Sequence, residues 1–541
     1  VFGDWSSDVC SSDLLYEGVQ VRVRGQSSRG WPKKHWNFRF AQGHPFEDPA
    51  YLPGPVNGFN LQSSYADKTY LREILSYEAF QAAGCPSHVI RPVVVHQNGA
   101  FFGLYDFLED ADTSYLERNG LDPEGGLYKA FGSQCTYDPE LPLEGPWEKE
   151  SPGDGDFSEL YDFLIGLNTL AGQERRDFLF GNVDIPAMLN YQAVSVLIHN
   201  NDQVAKNYFL YRDTKGTGRW SMQPWDMDLT FGRSFQGKVL NDRMFADVDF
   251  VPDRPNVSPS HPLFGDSEHQ KWDYLWNRLT DALLKQPDVR QMYYRRLRTL
   301  MDQMLVPGRF EARIDELASR IEDEAGMDRQ KWGWYGEDET PAVATARLKQ
   351  EYLEVRRAHL FATHRIEGGI PKAQSPEPHV LINELMYNPY ADPSDPEDAA
   401  GRLEFIELYN FSPTEAVDVS GWQVTGVDLA IPPGAVILPV GYLLVVRDDA
   451  AFRRRYGPGL FVAAQYPGGL AGGGERVALL DRDGKVVDEV AYDDNAPWPK
   501  EPDGYGPSLE LRHPALDNSL PASWAASTVA GGTPGARNSV F

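Results

Sequence analysis

The hydrophobic period of the chain changes across Gly368-Gly369-Ile370-Pro371-Lys372-Ala373-Gln374-Ser375-Pro376-Glu377-Pro378, and one packing scheme cannot serve both sides. Before this stretch, apolar residues recur at helical spacing over long runs. Beyond it, residues 379–541 show short alternating runs between Gly and Pro turns, with no helix signal except a turn near Ala450 and Arg454. The stretch itself is a linker by composition. A chain of 541 residues also exceeds what one core supports. The expected class is α+β, with a mixed domain over residues 15–365, a linker at 366–378 and an antiparallel sandwich over 379–541.

Within the mixed domain, residues 15–110 are strand-rich and residues 111–365 are dominated by helices. Val19-Gln20-Val21-Arg22-Val23-Arg24 alternates as a half-buried strand does, and alternation resumes from Pro32 to Phe40 after a polar turn. Asp67 opens a helical run that closes at Gly84-Cys85-Pro86. Asn98-Gly99 between two apolar runs predicts a hairpin. Residues 185–200 read as a long apolar helix leading into Asn201-Asp202, and residues 207–212 and 219–223 as short strands around the turn at 215–218. Further helices are expected near 269–285, 289–305, 309–325 and 345–363.

A net charge of −28 argues against nucleic-acid or anionic-membrane binding, since both require basic surface. No apolar run reaches the ~20 residues of a membrane span. Three cysteines exclude a disulfide framework and a Cys-rich zinc site. Cys85 and Cys135 read as one bond in an exported protein or as two small buried thiols. Residues 1–14 look like a translated sequencing adapter, which would make Cys10 spurious and leave the authentic N-terminus and any export signal missing.

The chemistry concentrates in two motifs. Asp202 and Asn207 are separated by four residues, and Trp225-Asp226-Met227-Asp228 precedes Phe231-Gly232, the order and spacing of a phosphoryl-transfer site. Spacing alone leaves a turn that caps a helix as the competing reading. Around Asp226 and Asp228, the apolar Trp225, Met227 and Leu229 make unpaired surface carboxylates a poor explanation. Lys33 and Lys34 follow the Gly/Ser turn; alternation lets only one face a nucleotide, and Lys34 shares a face with Trp36 and Phe38. Glu73 and Glu78 are its possible helix partners, and Arg24, Arg29 and Arg72 are further phosphate contacts. His199 reads as a structural histidine.

Arg24-Gly25-Gln26-Ser27-Ser28-Arg29 with Pro32-Lys33-Lys34, residues 67–72, Asn98-Gly99 with Gly103-Leu104-Tyr105 and Glu109, Asn201-Asp202 with Asn207-Tyr208, and Trp225-Asp226 with Asp228 together resemble the spore-coat protein H (CotH) kinase family. The resemblance implies an atypical, two-lobed protein-kinase-like domain, with an N-lobe over about 15–110 and a C-lobe over about 111–365, N-terminally truncated. It also implies a secreted or envelope-associated enzyme using ATP and Mg²⁺ on a protein Ser or Thr hydroxyl. Asp202 would be the catalytic aspartate, Asn207 and Asp226 metal ligands with Asp228 sharing that motif. Lys34, Arg24, Ser27, Ser28, Arg29, Arg72 and Glu109 would form the nucleotide side.

Ile382-Asn383-Glu384-Leu385-Met386-Tyr387-Asn388-Pro389, Phe405-Ile406-Glu407-Leu408-Tyr409-Asn410, Val419-Ser420-Gly421-Trp422, Gly441-Tyr442-Leu443-Leu444-Val445-Val446 and Thr533-Pro534-Gly535-Ala536-Arg537-Asn538 resemble a lamin tail domain, an immunoglobulin-like sandwich. That resemblance implies a surface or matrix partner and no catalysis. Two alternatives stand beside the kinase: a non-catalytic surface protein using a kinase-like scaffold for binding, and a metal-dependent glycosyltransferase using Asp226 and Asp228, which would require a parallel α/β sheet.

Overall fold

The computed structural model describes residues 14–236, 239–241, 256–336, 338–365, 369–390 and 401–541. The adapter-like tract and Cys10 lie outside the described residues, apart from Leu14. Five strands form the first sheet: β1 (Gln20–Arg24), β2 (His35–Arg39), β3 (Gly58–Gln62), and, after α1 (Arg72–Ala82), β4 (Ile90–Gln97) and β5 (Ala100–Glu109). Their order is β1-β2-β3-β5-β4 and every pairing is antiparallel. The predicted hairpin joins β4 to β5, with Asn98 and Gly99 both left-handed at φ 53° and 78°. Helix α1 starts later than its Asp67 signal suggests. The Asp67 carboxylate still accepts from the amides of Thr69 at 3.0 Å and Arg72 at 2.9 Å, across a bent approach.

A second part follows: α2 (Thr113–Arg118), β6 (Gly126–Phe131), β7 (Trp147–Ser151), α3 (Ser158–Thr169), α4 (Gly172–Asn182), α5 (Ile185–Leu197), β8 (Lys206–Arg212), β9 (Trp220–Pro224) and a short ribbon, β10 (Ser234–Gln236) with β11 (Val239–Asn241). Then come α6 (Arg278–Leu284), α7 (Pro287–Met304), α8 (Arg309–Trp332), α9 (Pro341–Arg347) and α10 (Glu354–Ala358), the last two within one helical run that wider turns carry to Thr363. Strands β7-β6-β8-β9 form an antiparallel sheet in which the two strands expected around residues 215–218 are β8 and β9, while β6 carries no signal because it is buried along most of its length and shows no alternation. Residues 269–277, expected as helix, are turns instead.

Helix α8 runs back across the first sheet and fixes it. A Cβ at Gly103 would lie 2.9 Å from Asp328 Oδ1 and 3.1 Å from Trp332 Nε1, so glycine permits the close approach of helix to β5. Lys331 and Trp332 donate to the carbonyls of Phe101 and Phe102, each at 2.7 Å. At the centre, Asp328 accepts from Lys33 Nζ at 2.9 Å, Tyr70 hydroxyl at 3.0 Å and the Leu104 amide at 2.9 Å. Lys33 is fully buried and spends its other donors on the carbonyls of Ser63 and Leu104.

The C-terminal part is built from strands. A six-stranded sheet, β19-β18-β13-β12-β22-β23, faces a four-stranded one, β16-β15-β20-β21. These comprise β12 (Val380–Met386), β13 (Phe405–Asn410), β15 (Gln423–Val424), β16 (Leu429–Ala430), β18 (Gly441–Val446), β19 (Val462–Gln465), β20 (Gly474–Leu480), β21 (Val486–Asp493), β22 (Pro507–Leu511) and β23 (Trp524–Ala530), while β14 (Val417–Asp418) pairs with β17 (Val436–Ile437). The turn expected near Ala450 is a short helix, α11 (Asp449–Tyr456). Buried ion pairs tie this part to the preceding one: Arg296 to Asp418 at 3.1 Å, and Arg219 to Asp449, with Arg219 also donating to the Val462 carbonyl at 2.9 Å. Three buried glutamates lie in one cross-strand row, Glu384 opposite Glu407 on one side and Glu510 on the other. Burial, then neighbouring glutamate charge, raises Glu384 to about 7 and Glu407 well above the usual range.

Cys85 and Cys135 are free and buried, so no disulfide joins them. No helix among the described residues is long and apolar enough to cross a membrane.

Two predictions follow from this packing. Lys33→Met leaves Asp328 charged and buried, and is expected to lower denaturation stability by about 3–5 kcal/mol, while Lys33→Met with Asp328→Leu recovers much of that loss. Equal stability of the single variant and the parent would exclude the brace. The glutamate row should make the chain less stable as pH rises. Glu384 ionises near 4.5 when unfolded and near 7 when folded. Its protonated form therefore contributes stability that is complete below 4.5, is lost between 4.5 and about 7, and is absent above, at up to about 1.4 kcal/mol per pH unit. Glu384→Gln should raise the melting temperature at alkaline pH and flatten the curve; an unchanged slope would refute the assignment.

Candidate active site

The site begins with α5, whose thirteen residues are almost all buried and whose start is capped by Asp184, which accepts from the Ala187 amide at 3.0 Å. A helix so fixed delivers the following turn to a set place. His199 reverses direction at φ 54° and stacks on Tyr352 with ring centroids 6.2 Å apart, filling a structural place. Asp202 follows, 5% exposed. Its Oδ2 accepts from Asn207 Nδ2 at 2.9 Å and Lys206 Nζ at 3.1 Å; its Oδ1 accepts from Lys271 Nζ at 2.6 Å.

The second motif leaves β9 at Pro224. Asp226 takes a left-handed backbone at φ 57°, as does Asn207 at φ 64°. Such conformations are uncommon outside glycine and persist where the surroundings impose them. The bend at Asp226 is how a one-residue spacing presents two carboxylates to one region. Burial, then the charge of Asp226, pushes Asp228 up to about 7 against the pull of the Arg233 guanidinium. Burial, then Asp226 and Asp228, holds Glu73 on α1 well above the usual carboxylate range. Burial raises Asp106 to about 7, opposed by its Ser64 hydrogen bond. Burial works to lower Lys206, but the carboxylates of Asp202, Asp226 and Asp228 hold it above its ordinary value.

Asp202, Asp226, Asp228 and Glu73 thus share one electrostatic neighbourhood. Trp31, His35, Ser64, Asp67, Glu73, Asp106, Asp228 and Arg233 line a small cleft beside it.

The nucleotide side is more dispersed than the sequence suggests. Arg24, at the end of β1, holds its guanidinium over the Trp225 ring at 5.2 Å, and its Nη1 is buried without a hydrogen-bond partner among the described residues. It is the predicted basic residue placed at the acidic centre. Lys34 instead donates to the Arg29 carbonyl at 2.6 Å, and the lysine on the inside is Lys33. Alternation does not govern these two residues, because β2 begins only at His35 and neither lysine lies in a strand. Lys33 is saturated by Asp328 and two carbonyls. Arg29 is exposed, and Ser28 is buried inside its turn, where a Cβ on Gly25 (φ 95°) would meet its hydroxyl at 2.0 Å. The side chain of Ser27 is outside the described set. Arg72 is buried and paired with Asp67. Glu109 accepts from Arg118 Nε at 2.8 Å and the Val89 amide at 3.0 Å, so it staples β5 to α2. Glu78 pairs with Arg313 Nε at 2.9 Å.

Four residues of this neighbourhood were not singled out from the sequence. Lys206 and Asp106 lie inside or beside the quoted motifs and could have been found there. Lys271 and Arg233 carry no local signal.

The residues fit a hard divalent cation with a nucleotide. Neither Asp226 nor Asp228 has a hydrogen-bond donor on its carboxylate among the described residues, and Asn207 uses its nitrogen on Asp202, leaving its amide oxygen. Among the described residues no three His, Cys, Asp or Glu side chains converge closely enough to hold a metal by themselves. Two carboxylates and an amide, completed by water and phosphate oxygens, is the donor set Mg²⁺ accepts.

Comparison with known proteins gives two consecutive matches. The model for CotH kinase protein matches residues 21–360, and that for the Lamin Tail Domain matches residues 373–494. The inner spore coat protein H of Bacillus subtilis (strain 168) is 25% identical over 321 residues, which cover 58% of this chain and 79% of that protein. Among solved structures, the Helicobacter pylori proinflammatory kinase CtkA shares 12% identity with a TM-score of 0.22, over 58% of this chain and 94% of that one. A chain of the Shewanella oneidensis MR-1 toxin–antitoxin complex of HipA, HipB and operator DNA shares 12% with a TM-score of 0.20, over 60% of this chain and 58% of that one. The chain belongs to the CotH kinase family and carries a lamin tail domain after its kinase-like part.

Proposed function

We propose that the chain is an ATP- and Mg²⁺-dependent protein kinase that acts outside the cell or in its envelope on a Ser or Thr hydroxyl. The observation that carries this reading is the meeting of Asp202, Asp226 and Asp228 around Lys206, two loops contributing the acids and Arg24 facing them from the first sheet. In the reaction, the substrate oxygen bonds to the γ-phosphorus as the bond from that phosphorus to the ADP oxygen breaks. Asp202 orients the hydroxyl and receives its proton. Asn207, Asp226 and Asp228 would hold Mg²⁺, which when bound supplies charge neutralisation at the β- and γ-phosphate oxygens. The envelope setting draws support from the relative whose name places it in a spore coat.

One observation favours a non-catalytic scaffold instead. Both N-lobe lysines of the motif are committed, Lys33 to Asp328 and Lys34 to a backbone carbonyl, which leaves Arg24 as the phosphate contact on that side. The glycosyltransferase reading loses its basis, because the sheet it needs to be parallel is antiparallel throughout.

Asp202→Asn, which keeps an oxygen for Lys271 and Lys206, should reduce transfer of labelled γ-phosphate by at least about 100-fold, and Asp226→Ala should reduce it to background, each measured on protein shown to be folded by circular dichroism. If both variants label like the parent, the site is elsewhere. ATP with Mg²⁺ at about 100 times its Kd should stabilise the parent by about 2.7 kcal/mol, seen as a raised melting temperature. No shift at any concentration would favour the scaffold.

A further inference from the structure

Asp202 is held from two directions. Lys206 and Asn207 open β8 within five residues of Asp202, and both act on Oδ2. Oδ1 is taken by Lys271, 69 residues further along the chain and 9% exposed. Local contacts therefore restrain one oxygen only, and the plane of the carboxylate is set when Lys271 takes the other. A carboxylate offers about four acceptor positions. Three are used, and one remains for a substrate hydroxyl.

Lys271 does not reach Asp202 by its own flexibility. The turns on either side of it are fastened at several points. Arg356 donates to the Ser260 carbonyl at 2.6 Å and Gln192 to the Phe264 carbonyl at 2.8 Å. The Ser267 amide donates to Asp281 at 2.9 Å, and Asn277 donates to the Val204 carbonyl at 3.1 Å and the Tyr208 hydroxyl at 3.2 Å. A histidine cluster adds to the frame: His261 stacks on His269 with centroids 3.6 Å apart, and lies edge-on to His364 at 4.8 Å. Arg356 donates to His359 Nδ1 at 3.1 Å, so His359 Nε2 carries the proton and donates to His364 Nε2 at 3.1 Å. That relay accounts for the close ring nitrogens without a metal, as the described residues hold no three-ligand group.

We propose that Lys271 is a positioning residue for Asp202, delivered by the braced turns before α6, and that it fixes the carboxylate for the phosphoryl transfer without contacting the nucleotide. This rests on the kinase reading above. The carboxylate, freed on one side, would pivot on Oδ2, and misorientation of a catalytic group lowers turnover rather than nucleotide affinity.

The test uses the full chain with ATP, Mg²⁺ and dephosphorylated casein as acceptor. Lys271→Met is expected to lower kcat by about 10- to 100-fold, with KM for ATP and the ATP–Mg²⁺ melting shift within about twofold of the parent. Lys271→Arg, which keeps the charge and the donor, should recover most of the rate. If Lys271→Met fails to fold, Lys271→Gln carries the same readout. A kcat within twofold of the parent, a loss confined to KM, or a folded Lys271→Arg no better than Lys271→Met overturns the inference alone. A parent that transfers no label overturns the kinase reading and this inference together.

Discussion

A buried carboxylate must be answered in full or it destabilises what surrounds it, and Asp328 is answered by three donors from three places in the chain. Lys33 comes from the turn before β2, Tyr70 from the approach to α1, and the Leu104 amide from β5. One side chain of α8 therefore fixes the turn, the helix and the strand that bound the cleft on one side. Because Lys33 has no donor left, its charge is structural. From this side the acidic centre is faced by Arg24, which ends β1 opposite His35 of β2 and lies over the Trp225 ring.

Across the cleft the physics reverses. Asp226 and Asp228, with Glu73 facing them from α1, accumulate negative charge that Lys206, Arg233 and Arg24 offset only in part, as the raised carboxyls of Glu73 and Asp228 record. Left-handed backbone at Asn207 and Asp226 adds local strain. An arrangement that is costly by itself, and acquires balance when a cation and phosphates enter, is ordinary for a phosphoryl-transfer site.

Much of this was legible where the signal is local. The Asn98-Gly99 hairpin, the apolar helix leading to Asp202 and the change from helix to strand after residue 370 are written in adjacent residues. Lys33 and Lys34 show the limit of that reading, since alternation holds only within a strand and β2 starts one residue too late. Lys271 and Asp328 were invisible for a different reason. Their partners lie 69 and 295 residues away, and neither period nor spacing encodes such a pairing. Strand β6 was hidden because a strand buried on both faces shows no alternation, whereas its sheet partners β8 and β9 were legible as short strands.

The junction between the two domains has a consequence for cooperativity. Ala416 and Val436 of the sandwich belong to the same apolar core as α5 and α7, and the Arg296–Asp418 and Arg219–Asp449 pairs close around that contact. Loss of either partner would strand desolvated charge on the other and open a core they share. The two modules, separable as stretches of sequence, are coupled as thermodynamic units, and heat should melt them in fewer steps than a count of domains implies.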